Sequence, residues 1–485
     1  MKVVSLVCAV LLSGFIASAP ARAQSSGDAR FEALASLVSD KMREYRIPGV
    51  ALGIVENRTV TMRGFGVTSV EDPLPMTTHT VFPIASISKT IAATAMMRLV
   101  EQGLVNLHAP VRRYLPDFRV QDEAVSRDVT VWHLLTHTSG WEGQVAPVDR
   151  GDETLKTFVA GLGTHMQLAP LGAAWSYNNA GFSIAGRVIE TVTGRSINAA
   201  VRDLVFKPLG LEHAGTTAPE FLTWRFALGH FNRGENPPAL QRPFAPSTSV
   251  TAGGVGLCIS DLLAYAQFHL GDGTSKSGER LMTRATLDAM KTSQLRKQGN
   301  DDDIGIPWHL RKVGGVMTAA HGGTLGGHIL LLELVPERGV AIGILTNASN
   351  GWRLIQDVER AALKSYAGAT FSMNQAIAHR GLLETLPLVE PLATQPDPAP
   401  YVGRYLRPMN TVVVRAENGR VLVQVRPNSG DPQPEMPVAF YGPDRAVVTD
   451  GPDKGQSIEF VRATDGTINW IRVTGRVAVR ADAGR

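Results

Sequence analysis

Apolar residues along this chain follow two rhythms. In GVALGIVENRTVTMRGFGV (49–67) they run or alternate on either side of Glu56-Asn57-Arg58. In GGHILLLELVPERGVAIGILTN (326–347) they do the same around Pro336-Glu337-Arg338-Gly339. Both segments predict a pair of strands joined by a turn. Between them the spacing is mostly helical and predicts helices over 88–102, 130–136, 180–193, 196–205, 259–270 and 284–291. Strands at both ends with helices between predict one α/β domain, residues 24–385, whose terminal strands meet in one sheet.

LPLVEPLATQPDPAP (386–400) is dense in proline and predicts a linker over 386–398. After it, short alternating strands return, with Asn418-Gly419 and Asp465-Gly466 as hairpin turns. Residues 399–485, opening on YVGRY (401–405), therefore form a separate small β-barrel or sandwich domain. Its aromatic positions read as core, and packing or substrate gating are its expected roles.

The N-terminus changes the picture of where the protein works. Lys2, an apolar run from Val3 to Ala17 and Ala21-Arg22-Ala23 before Gln24 predict a secretory signal peptide, residues 1–23, cleaved after Ala23. A periplasmic or secreted protein is expected. Cleavage removes Cys8, which sits in no lipoprotein signal, and leaves Cys258 as the one cysteine, so no intramolecular disulfide forms. No later apolar run is long enough to span a bilayer, and no stable membrane insertion is expected after cleavage. The formal charge of +4 falls by the two charges of Lys2 and Arg22, 4 − 2 = +2, too weak a bias for a nucleic-acid partner. At 485 residues, 44% hydrophobic and 19% charged, the chain is long enough for a large core and a further domain.

One residue breaks the pattern of its own helix. Ile87, Ile91, Ala92, Ala95, Met96, Leu99 and Val100 describe a largely buried helix ending at Gly103. Yet Lys89 stands in its first turn, where the helix dipole is positive and burial penalises an ammonium. Ser86 lies three residues earlier, so the two side chains share a face. A lysine stripped of its proton there can hydrogen-bond the hydroxyl and take its proton, which activates a serine nucleophile.

Ser86-x-x-Lys89 is followed in order by Tyr177-Asn178-Asn179 within WSYNNAGFSIAG and by His321-Gly322-Gly323 within AAHGGTLGG. With VWHLLTHTSG (131–140), FKPLGLEHAG (206–215), TAGGVGLCISDLLAYAQF (251–268) and ILTN (344–347), the chain resembles the serine β-lactamase and penicillin-binding-protein superfamily over roughly residues 30–365. The resemblance is to its class C-like branch of esterases and D-aminopeptidases. It implies a β-lactamase/transpeptidase-like antiparallel sheet flanked by helices plus a helical subdomain, and the C-terminal region is similar to the lipocalin-like domains of some relatives.

By the same resemblance Ser86 becomes acylated, with Lys89 and Tyr177 sharing the general-base task. Asn179 holds Lys89 and the substrate amide or carbonyl. His321 and Gly323 belong to the substrate-binding segment, and the backbone N–H groups of Ser86 and Thr324 form the oxyanion hole. No cofactor and no metal is implied. His133 and His137 have a spacing that suits zinc, but no second ligand cluster accompanies them. Nor is there a complete Gly-x-Ser-x-Gly elbow.

β-Lactamases and D,D-peptidases usually carry Lys-Thr-Gly at the third motif, where the cation binds the substrate carboxylate. His-Gly-Gly offers no permanent charge there. The expected reaction is therefore hydrolysis of a small ester, amide or peptide, ahead of β-lactamase or D,D-carboxypeptidase activity. A non-catalytic receptor or scaffold is the alternative of another class. Trp308 is read as flanking the pocket or as core, Arg311 and Arg353 stay outside the site, and loops 141–175 and 215–250 are expected to wall the cleft.

Overall fold

The computed structural model describes residues 28–149, 151–232, 237–242, 249–297, 302–371, 389–451 and 453–482. The predicted signal peptide with Cys8, and residues 386–388 of the predicted linker, lie outside the described residues.

The terminal strands do meet. Gly49–Glu56 pairs antiparallel with Val340–Thr346 from Val50 opposite Thr346 to Glu56 opposite Val340. They lie within an eight-stranded sheet, in the order Thr59–Gly66, Gly49–Glu56, Val340–Thr346, His328–Val335, Val316–Leu325, His309–Val313, Asp303–Ile304, Leu295–Arg296. His328–Val335 is buried along its whole length because helices cover both faces. On one face Phe31, Leu34 and Val38 of helix Ala29–Tyr45 join Leu354, Ile355 and Val358 of helix Trp352–Ala362 over Val50, Leu52 and Ile342.

The other face receives helices Ser88–Glu101 and Ile259–Leu270. Gly53 makes the second packing possible. A Cβ there would lie 2.3 Å from Leu263 Cδ1, so an alanine forces the Leu263 side chain to move.

The C-terminal domain is a closed barrel of eight antiparallel strands from Gly403–Arg407 to Arg476–Arg480, sealed by Tyr405 opposite Arg480. Its interior is packed with side chains. The Tyr401 ring lies 4.6 Å from that of Phe440 and 4.7 Å from that of Phe460. Asn418 and Gly419 take φ of 51° and 75°, the left-handed pair a tight hairpin needs. Residues 389–398, expected as linker, are laid along the barrel, where the Leu392 N–H donates to the Phe440 carbonyl. The barrel also packs on the α/β domain, with Trp470 and Val477 against Leu168 and Ala174. No helix among the described residues is long and apolar enough to cross a membrane.

Candidate active site

A short two-strand pairing sets the first motif in place. Phe82–Pro83 pairs with Gly256–Leu257, and the Ile84 N–H donates to the Val255 carbonyl. The chain then enters a 3₁₀ turn, Ala85–Ile87, through Ala85 at φ 47°, a left-handed conformation that costs an alanine about 1 kcal/mol or more. This turn feeds directly into helix Ser88–Glu101, whose second residue is Lys89. Ser88 locks the junction by accepting from the Val255 N–H at 3.1 Å.

Lys89 is completely buried, and its Nζ donates to Ser86 Oγ at 3.3 Å and to the Ala252 carbonyl at 2.6 Å. Burial holds its pKa well below the ordinary lysine range, and the charge of Arg476 pushes the same way. Both effects favour the neutral amine beside the serine hydroxyl. The expected contact from Asn179 to Lys89 is not the one formed; the second partner of the amine is the Ala252 carbonyl. The two asparagines divide their work. Asn178 caps helix Asn179–Thr193 by accepting from the Gly181 N–H at 2.8 Å, while Asn179 keeps its buried Oδ1 without a partner at the cleft.

Tyr177 precedes that helix, and its buried hydroxyl has no hydrogen-bond partner. Its ring lies 4.8 Å from Lys89 Nζ. Burial pushes the phenol pKa up; the neighbouring Ser86 hydroxyl and the Arg476 charge oppose that shift. His137, in the left-handed region at φ 59°, packs its ring 4.6 Å from that of Tyr177 and accepts the Asn178 N–H on Nδ1 at 2.9 Å. His133 instead meets Thr130 in a capping box, so these histidines form no pair of metal ligands. The looser trio of His79, His213 and Cys258 brings its ligand atoms only within 4.8 Å of one another, against about 3.6 Å in a tetrahedral N/S site. Burial also keeps the Cys258 thiol protonated, its pKa pushed up to about 11.

The third motif lies on the strand Val316–Leu325. Gly323 lets this strand pass beside the Ala85–Ile87 turn: a Cβ there would stand 2.5 Å from the Ile84 carbonyl oxygen and 3.2 Å from the Ala85 Cβ. Gly323→Ala is thus expected to push strand and turn apart, lowering kcat/KM about tenfold or more and stability by about 1–3 kcal/mol. Ester kinetics and a thermal melt read both effects.

His321 is fully buried beside Tyr177, with ring centres 6.3 Å apart, and beside His309 at 5.5 Å. Its Nδ1–H donates to the Gly322 carbonyl at 2.8 Å. Burial, then the nearby Lys89, take its pKa down to about 3, so it stays neutral at physiological pH. It contributes no cation to the site.

Ser86, Asn179 and Thr324 line one small cavity of about 100 Å³, with Ala85, Val145, Ala146, Ala252, Gly253 and Leu325 and the hydrogen-bonded hydroxyls of Ser183 and Ser249. No charged side chain lines it among the described residues. Val145, Ala146 and Ser249 come from the two loops expected as walls. Trp308 does not. It is fully buried in the main core, 5.4 Å from the His269 ring. Arg311 is buried in an ion pair with Asp302, and Arg353 stacks 5.3 Å over Trp352, outside the cavity lining.

One neighbour of Tyr177 comes from the C-terminal domain. The barrel hairpin between strands Ile468–Val473 and Arg476–Arg480 reaches the second motif, where the Tyr177 N–H donates to the Gly475 carbonyl at 2.9 Å. It carries Arg476, whose guanidinium carbon lies 5.3 Å from the centre of the Tyr177 ring.

The site and fold have recognisable relatives. Penicillin-binding protein 4 of Amycolatopsis lactamdurans is 32% identical over 389 residues, 78% of this chain and 96% of that protein. Esterase EstB of Burkholderia gladioli is 35% identical over 229 residues, 43% of this chain and 56% of the esterase. The crystal structure of SurE superposes over 93% of this chain and 99% of its own with a TM-score of 0.72 at 24% identity, a likeness of fold. The Beta-lactamase family model matches residues 34–365, a span that holds all three motifs, and the chain belongs to that family.

Proposed function

We propose that this protein is an exported serine hydrolase that cleaves ester or amide bonds through an acyl-enzyme on Ser86. The observation that carries this reading is the 3.3 Å contact between Ser86 Oγ and the amine of Lys89, whose pKa burial lowers. Lys89, with Tyr177 beside it, takes the Ser86 proton as Oγ bonds the substrate carbonyl carbon. The carbonyl electron pair moves onto the oxygen, which the N–H groups of Ser86 and Thr324 stabilise. The tetrahedral adduct collapses, and the leaving alcohol or amine carries away the proton. Water, activated by Tyr177, reverses the sequence to release the acid.

The small neutral cavity beside Ser86 supports a short uncharged acyl group, and the unpaired Asn179 Oδ1 supports a substrate N–H donor beside the scissile bond. The predicted signal peptide supports a reaction in the periplasm or outside the cell, and the weak net charge supports small-molecule esters, amides or peptides over nucleic acid as substrates. A penicillin-recognising activity is the second reading, favoured by the match to nearly the whole length of a penicillin-binding protein. A panel of p-nitrophenyl esters, D-amino acid anilides, short peptides and a chromogenic cephalosporin decides between them. Short esters or D-anilides are expected to turn over fastest. Rapid cephalosporin hydrolysis without esterase or peptidase activity would install the second reading.

A further inference from the structure

We propose that Arg476, brought against Tyr177 by the barrel hairpin, is a positioning residue for the acylation base, supplying a fixed cation from the C-terminal domain behind the cavity. The proposal rests on the acyl-enzyme reading above.

The hairpin is held against the catalytic segment by hydrogen bonds on both of its strands and at its turn. Trp470 Nε1 donates to the Leu168 carbonyl at 2.9 Å, and Arg472 Nε to the Trp175 carbonyl at 3.2 Å. The Val477 N–H donates to Ser176 Oγ at 3.2 Å, and the Gly475 carbonyl receives the Tyr177 N–H. The turn residues Thr474 and Gly475 have φ of 52° and 74°, a tight two-residue bend that aims the next residue inward. Tyr177 is thus fixed through its own backbone to the loop that presents Arg476.

Arg476 is not built like a structural ion pair. Only 8% of it is exposed, its Nε has no hydrogen-bond partner, and no carboxylate stands within ion-pair distance among the described residues. The nearby Glu142 is taken by Arg407. A buried guanidinium without a counter-ion destabilises the fold, so its charge acts on what it faces. It faces the ring of Tyr177 at 5.3 Å, and Lys89 Nζ lies 4.8 Å from the same ring.

The other titratable groups around Tyr177 are His137 and His321, both kept neutral by burial, with His309 behind His321. Behind Trp175 stand Lys297, Arg472 and Glu459, which are tied to one another. In that surround a fixed positive charge does two things. It repels the protonated form of Lys89 and attracts negative charge onto the Tyr177 oxygen. Both favour the form of the pair that accepts the Ser86 proton. Arginine suits the task because its guanidinium keeps its charge at alkaline pH, where the ammonium of a lysine titrates.

The test uses the full chain with Arg476→Met and Arg476→Lys, a neutral p-nitrophenyl ester, and the pH dependence of kcat and kcat/KM. For the methionine variant kcat is expected to fall about 100-fold while KM changes less than about threefold. The acid limb of the pH profile should move up by about one unit, because the base loses the charge that lowered its pKa. The lysine variant should recover most of kcat and most of the limb position near neutral pH. An unchanged acid limb in the methionine variant, or a rise confined to KM, overturns the proposal. Should the methionine variant not fold, the lysine variant alone decides. A kcat that declines at alkaline pH as the introduced ammonium titrates supports the proposal, and a flat profile there overturns it. Failure of the acyl-enzyme reading looks different, since turnover would then survive Ser86→Ala with Arg476 intact.

Discussion

Ser86→Ala is expected to lower ester turnover by about 10⁴-fold or more and to abolish labelling by a fluorophosphonate probe, with Tm shifted by no more than about 2 °C. The size follows from the chemistry: without an attacking Oγ no acyl-enzyme forms, and loss of the nucleophile in a serine hydrolase costs about 10⁶ in kcat. The small change in Tm follows from the position. Ser86 is only half-buried at the cavity wall, and its hydroxyl receives a single hydrogen bond, from Lys89. Deleting it leaves no sealed void and leaves a neutral amine still bonded to the Ala252 carbonyl. Probe mass on a peptide containing residue 86 in the native chain, and its absence in the variant, separates an enzyme from a binding protein of the same fold. Turnover above about 1% of native in the variant removes the acyl-enzyme reading.

The motifs could be read from the chain because their chemistry is local. Ser86 and Lys89 need only one helical turn to meet. The turns at Glu56-Asn57-Arg58 and Pro336-Glu337-Arg338-Gly339 likewise lie where the strands Gly49–Glu56 and Thr59–Gly66, and His328–Val335 and Val340–Thr346, are joined. The predicted helix 259–270 matches Ile259–Leu270 for the same reason, its apolar face being written in adjacent turns.

Three features were harder to read. The partner of Lys89 is a main-chain carbonyl at Ala252, and a carbonyl has no residue signature. Asn178 and Asn179 are chemically identical neighbours, so only the path of the helix decides which one caps it and which faces the cleft. Arg476 meets Tyr177 from the far end of the chain, where nothing in the strand pattern of RVAVR separates it from the other arginines of the barrel. The helix Ala29–Tyr45 is a different matter. Phe31, Leu34, Ala35 and Val38 carry its buried stripe and Asp28 caps it, so its signal is present in the sequence.

Lys89→Met is expected to reduce kcat about 10³-fold or more and, at neutral pH, to raise stability. The activity loss removes the proton acceptor of Ser86. The gain in stability comes from linkage. The folded chain holds Lys89 at a pKa well below its ordinary 10.5, so between the two values the unfolded chain binds a proton that the folded chain refuses. Native stability is therefore complete above about pH 10.5 and falls by up to about 1.4 kcal/mol for each unit that the pH drops below it, until the lowered folded value is reached. Methionine titrates nowhere and escapes that loss. Set against this, the variant leaves the Ala252 carbonyl without its 2.6 Å donor, at a cost of about 1–3 kcal/mol that does not depend on pH. The variant should thus melt above the native protein at pH 7, and its advantage should shrink or reverse as the pH approaches 10. Melting curves of both proteins taken from pH 7 to 10 give the comparison. Parallel curves would mean that Lys89 keeps its proton in the folded state, and the assignment of a neutral amine as the serine's base would fall with them.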